Sequence, residues 1–138
     1  MNTNIFDIAG SAMRAQTLRL NTTASNLANA DSVAGRPEDV YRARHPVFAA
    51  ALEGAVGRKS GGGFGVGVRG IVESAREPER RYAPGNPIAD ESGHVYASNV
   101  DVVEEMTNMM SASQSYRSNV ELLNTARQLM LQTLRLGE

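Results

Sequence analysis

Residues 101–136 read DVVEEMTNMMSASQSYRSNVELLNTARQLMLQTLRL. Within them Val102, Met106, Met109, Ser113, Tyr116, Val120, Leu123, Arg127, Met130 and Leu134 recur at alternating steps of four and three, the spacing of a heptad seam. Arg127 is the only charged member of that row. Asp101 followed three residues later by Glu104 resembles a capping box, with Asp in place of Ser or Thr. Acids at Asp101, Glu104 and Glu105 and bases at Arg127 and Arg135 match the helix dipole, and Gly137 supplies a stop. A helix of this length is about 50 Å long at 1.5 Å per residue. One small chain cannot cover that length, so its partners are expected to be a second helix of the same chain and other subunits.

Outward from that segment, residues 4–30 repeat the theme. Phe6, Ala9, Met13, Gln16, Leu20, Thr23 and Leu27 form a second seam, widened by Ile5, Ile8, Ala12 and Ala15. From Ile8 to Ala30 only Arg14 and Arg19 carry charge. A helix face in water normally carries many charges, so this helix is expected to be enclosed by protein on several sides. Asn21, Asn26, Asn29, Asn119 and Asn124 stand on these low-charge helices and are expected to be buried, setting register.

Residues 31–100 hold all five prolines and most of the glycines. Gly57 to Gly63 reads as a flexible loop, Phe64 to Val72 as a strand with Val66, Val68 and Ile71 facing a partner, and Pro84-Gly85-Asn86-Pro87 as a turn. The fold class expected is mainly α. Long terminal helices form a coiled-coil-like pair around an irregular, β-containing centre, divided 1–32, 33–100 and 101–138.

Composition narrows function by exclusion. The net charge of −1 supplies no basic surface for nucleic acid or an anionic membrane. Aromatics make up only 5%, so apolar packing falls to Ala, Val, Leu and Met, which suits helix seams better than a round core. The absence of cysteine excludes disulfides and thiolate metal sites. The first residues, Met1 to Asp7, show no cleavable signal peptide, and no stretch approaches the roughly 20 apolar residues of a membrane span.

Catalytic motifs fail their context tests. Gly65-Val66-Gly67-Val68-Arg69-Gly70 matches G-x-G-x-x-G, but a dinucleotide site needs a helix to follow, and here strand continues before Pro78. His45 and His94 are far apart without clustered acids, so no metal or cofactor is expected and both are read as surface loop residues. Glu104 and Glu105 are neighbours on a helix and point in different directions, so a shared acid/base role is discounted in favour of the dipole. Met106, Met109, Met110 and Met130 are read as seam packing that tolerates small shifts between subunits.

Leu20-Asn21 with Ser25-Asn26-Leu27-Ala28-Asn29-Ala30-Asp31-Ser32 resembles the N-terminal signature of flagellar rod and hook proteins. Val102-Val103-Glu104-Glu105-Met106, Ser111 through Tyr116 to Asn119, and Leu123-Asn124-Thr125-Ala126 resemble their C-terminal signature. Tyr41 to Phe48 and Asn86 to Val95, the latter followed by Asn99-Val100-Asp101, resemble proximal rod members of that family. The resemblance departs at His94 and Ser98, and residues 57–65 match no family pattern. It implies a non-enzymatic structural subunit of the flagellar basal body. Its partners would be further copies, other rod proteins and, through them, the ring at the inner membrane. Export would run through the flagellar type III apparatus, without direct membrane insertion. The alternatives are another rod or hook subunit, or a coiled-coil adaptor or chaperone. Subunit packing is expected through Phe6, Ala9, Met13, Leu20 and Leu27 of the first helix. In the second it is expected through Val102, Met106, Met109, Tyr116, Val120, Leu123, Met130 and Leu134. Without neighbours, the terminal segments are expected to be largely disordered.

Overall fold

The computed structural model describes residues 3–52 and 64–137. The chain opens with helix α1 (Thr3–Ala28) and closes with helix α2 (Val102–Leu136). Between them run strands β1 (Val33–Ala34), β2 (Arg44–Leu52), β3 (Phe64–Glu73), β4 (Glu79–Tyr82) and β5 (His94–Ala97). The glycine-rich run from Gly57 to Gly63 lies outside the described residues.

Both helices form where the seams predicted them. Asp101 caps α2 through its side chain, which accepts from the backbone N–H groups of Val103 and Glu104 at 3.0 and 3.1 Å. That satisfies two of the donors a helix start leaves without partners. The reciprocal half of the capping box does not form, because the Glu104 carboxylate turns to Arg76 at 3.5 Å. Gly137 is the C-cap, but its φ of −96° lies where any residue can go, so its stopping role does not use glycine's freedom.

Two antiparallel sheets fill the centre. β1, β5 and β4 form one in that order, with Val33 opposite Ala97 and Tyr82 opposite His94. This sheet sets the end of α1 beside the start of α2, and the Ser98 N–H donates to the Ser32 carbonyl at 3.0 Å across the same join. The two helices pack on each other from there, running in opposite directions. β2 and β3 form a hairpin from Arg44 opposite Glu73 to Leu52 opposite Phe64, with a register shift between Val47 and Phe48. The expected strand is therefore present, and it acquires an N-terminal partner, β2, that sequence periodicity did not reveal. Both histidines read as loop residues are strand residues, His45 on β2 and His94 on β5.

The buried apolar residues are small: Ala9 and Ala15 of α1, Ala112 of α2, and Val40, Ala43, Val95 and Ala97 around the centre. Alanines at a helix crossing let the backbones approach closely, which explains how a chain so poor in aromatics still packs. The hairpin lies against α1 as well as against its own partner strand. The Ser11 hydroxyl accepts from Val66 N–H at 3.0 Å, and the Arg19 guanidinium sits 5.0 Å from the Phe48 ring centre. Part of the enclosure that the low charge of α1 demands is thus supplied by the chain's own α2 and hairpin.

Candidate assembly interface

The family-like residues of α1 serve first as an internal clamp. Asn26 is fully buried. Its Nδ2 donates to the Arg44 carbonyl at 2.8 Å, while its Oδ1 accepts from Arg44 N–H at 3.0 Å and from the Tyr41 hydroxyl at 2.9 Å. One amide thereby imitates a strand neighbour and holds the start of β2 against the helix. Ser25 Oγ lies 3.2 Å from the same tyrosine oxygen, and Asn29 donates to the Ser25 carbonyl at 2.8 Å where α1 ends. Ala28 is exposed and Leu27 half-buried.

A second amide, Asn99, grips the neighbouring residue. It accepts from Ala43 N–H at 2.8 Å and donates to the Arg76 carbonyl at 2.6 Å and the Ser74 carbonyl at 3.4 Å. Asn99 had no place in either seam, so its role was not legible there; the available signs were its position just before the helix cap and its place in the family-like Asn99-Val100-Asp101. Of the asparagines expected to be buried, Asn26 is, Asn29 and Asn119 are half-buried, and Asn21 and Asn124 are exposed.

Glu104 and Glu105 point apart as their adjacency requires. Glu104 is exposed, whereas Glu105 is 2% exposed, with Oε1 3.8 Å from His45 Nδ1. Glu105 has its expected place in the first turn of α2 and, beyond that, faces the root of the hairpin. Its Oε2 and the Gln16 Oε1 are the two buried side-chain oxygens without a hydrogen-bond partner among the described residues. On the other side of the centre, Asp90 accepts from the backbone N–H of His94 and from Ser92, which holds its carboxyl below the usual carboxylate range. No group of three or more acids and histidines suited to a metal occurs among the described residues.

The predicted packing residues divide between covered and open positions. On α1, Ala9 is buried and Phe6, Met13, Leu20 and Leu27 are half-buried. On α2, Met109, Leu123 and Met130 are half-buried, and Val102, Met106, Tyr116, Val120 and Leu134 are exposed. The covered face of α2 carries Glu105 and Ala112, continued by half-buried Asn119 and Ala126. Each of these stands one residue before Met106, Ser113, Val120 and Arg127. One residue is about 100° of helix, so Met106, Val120 and Arg127 turn outward, while Met109, Ser113, Leu123 and Met130 of the same row are half-buried. Met106, Met109, Met110, Ser113, Gln114 and Arg117 line a shallow apolar groove of about 520 Å³.

Comparison with known proteins finds flagellar rod relatives over nearly the whole chain. Residues 6–35 match the family model described as flagella basal body rod protein, and residues 91–136 match that of the flagellar basal body rod FlgEFG protein C-terminal region. The flagellar basal-body rod protein FlgC of Salmonella typhimurium strain LT2 is 53% identical over 135 residues, covering 98% of this chain and 97% of the relative. The FlgC proteins of Escherichia coli O157:H7 and of Buchnera aphidicola from Acyrthosiphon pisum are 54% and 41% identical, each at 98% coverage of this chain and 97% of the relative.

Proposed function

Because this chain belongs to the FlgC family of flagellar basal-body rod proteins, and is a structural subunit of that rod and not an enzyme, we propose that it builds the proximal rod through the open faces of its two terminal helices. The observation that carries this reading is α2 itself. It is a 35-residue helix whose only buried residues are Glu105 and Ala112, while large apolar side chains run along its outside. Such a helix is finished by neighbours.

On this reading the segments 1–32 and 101–138 are core helices that form coiled-coil-like seams with neighbouring copies and other rod proteins. Residues 33–100 hold the two helices in register and set the place of the subunit along the shaft. Heterologous contacts repeated along a helical path make a tube and not a closed ring, and large helix interfaces stiffen it to carry torque. The packing residues are those exposed or half-buried along both seams, Phe6, Met13, Leu20 and Leu27 with Val102, Met106, Met109, Tyr116, Val120, Leu123, Met130 and Leu134. Contact with the inner-membrane ring comes through adjacent rod subunits. Among the described residues no helix is long and apolar enough to cross a membrane, and delivery by the type III export apparatus accords with that.

Purified basal bodies test the reading. Electron cryo-microscopy should place this chain in the cell-proximal part of the rod, its helices lining the inner wall. Density that places it in the hook, or basal bodies that lack it, would overturn the assignment.

A further inference from the structure

The turn between β4 and β5 closes on a polar cluster that both strands share. Asp90 Oδ1 accepts from the backbone N–H groups of His94 and Ser92 at 2.8 and 2.9 Å, and from the Ser92 hydroxyl at 2.7 Å. From β4, Arg80 Nη2 lies 3.1 Å from Ser92 Oγ and 3.2 Å from His94 Nδ1, and those two atoms are 3.1 Å from each other. Counting hydrogens fixes the roles. Ser92 has one hydroxyl hydrogen, and its short bond to the acceptor-only carboxylate uses it. A guanidinium only donates, so the Nη2 hydrogens go to Ser92 Oγ and to His94 Nδ1. Nδ1 is then a bare acceptor, and the neutral ring carries its proton on Nε2.

A proton arriving on Nδ1 reverses this arrangement. Nδ1 loses its lone pair and becomes a donor that faces the Arg80 donor, cation against cation. In exchange it can donate to Ser92 Oγ, the oxygen that Arg80 had used. We propose that Arg80 and His94 are alternative cations for the Asp90–Ser92 turn, with Arg80 docked while His94 is neutral and released to solvent once His94 is protonated. Asp90 supplies the constant charge. Hydrogen bonds from the His94 N–H and from Ser92 hold its carboxyl below the usual carboxylate range, so it stays ionised on both sides of the exchange.

The surroundings leave the exchange to these groups. Among the described elements β5 packs only on β4 and β1, and β1 brings Val33 and Ala34 alone. On β4 the remaining charges, Glu79 and Arg81, pair with each other at 3.0 Å. Tyr82 meets the His94 ring edge-on, 5.2 Å between centroids, and Glu91 of the turn is exposed. With Arg81 paired, release of Arg80 gives the exposed strand β4 a free guanidinium that it lacks in the docked state. Imidazole changes charge between about pH 5 and 8, so Arg80 is docked at the upper end of that interval and free at the lower.

NMR of the intact chain reads both sides of the exchange. Long-range proton–nitrogen correlations distinguish imidazole tautomers, and the signals missing from His94→Gln identify His94. At about pH 8 the His94 proton should sit on Nε2, with nuclear Overhauser contacts between the Arg80 side chain and the His94 ring. At about pH 5 those contacts should be lost, while the backbone contacts that pair Tyr82 with His94 persist. In Arg80→Ala the preference for Nε2 at about pH 8 should fall, because an Nδ1 proton then has the Ser92 oxygen to itself. A proton on Nδ1 at about pH 8 in the unaltered chain overturns the exchange, as does an Arg80 contact that survives at about pH 5. Should His94→Gln or Arg80→Ala fail to fold, backbone assignment of the unaltered chain identifies His94, and its tautomer and ring contacts decide alone.

Discussion

Asn26 shows how much of this fold depends on single amides. Its side chain satisfies both backbone groups of Arg44 and the Tyr41 hydroxyl from inside a fully buried site. Leaving a buried donor or acceptor without a partner costs about 1–3 kcal/mol. Asn26→Ala removes this partner from both backbone groups of Arg44, while the Tyr41 hydroxyl keeps Ser25 Oγ, so the expected loss is about 2 kcal/mol. Urea unfolding of the purified chain measures it, and an unchanged midpoint would mean that Asn26 is not the clamp. The sequence marked Asn26 twice, by the shortage of nearby charge and by its place in a family-like segment. It could not show what the amide holds, because Arg44 lies 18 residues away and meets it only through the turn of β1 and the run into β2. Glu105 was less legible still. An acid in the first turn of a helix reads as a dipole partner, and only the position of His45 on the hairpin shows that it faces inward.

At the scale of elements, α2 is the part on which assembly depends, and its continuity is open to a direct test. Leu123 lies half-buried in mid-helix, beyond the stretch pinned by the capping of Asp101. Leu123→Pro removes one backbone hydrogen bond and clashes with the preceding turn, costing about 3 kcal/mol or more. Swimming in soft agar should be abolished while export of the chain persists; normal swimming would sink the packing account. The two helices and the strand from Phe64 onward were legible from period alone, since periods near 3.5 and 2 are direct consequences of backbone geometry. Strand β2 was not. Its residues from Val47 to Leu52 are a run of small and apolar side chains with no alternation, and its partner β3 begins too far along the sequence for a short turn motif to join the two.

For the whole molecule, the packing of α1 on α2 changes the expectation for the free chain. Seams without partners predicted largely disordered terminal segments, but each helix has a partner within the chain. Hydrogen exchange on dilute monomer should therefore show α1 and α2 up to about Ala126 slowed by their mutual packing, whereas residues 131–137, exposed throughout, exchange quickly until the rod forms. Uniformly fast exchange across both helices would show that the pair forms only on assembly. By itself the sequence determined that two long helices flank a β-containing centre and that the helices are built to be covered. These follow from periodicity, charge and composition, which act locally along the chain. Which row of α2 turns inward was decided only by tertiary structure. The rows at Glu105 and Met106 differ by a single residue, and both offer apolar neighbours at heptad spacing. What separates them is the three-stranded sheet, which joins the ends of the helices at Val33 and Ala97, and the hairpin that Asn26 and Asn99 hold against their root. Those long-range bonds set the rotation of α2, bury Ala112, and leave Met106, Met110, Leu122 and Leu129 facing out.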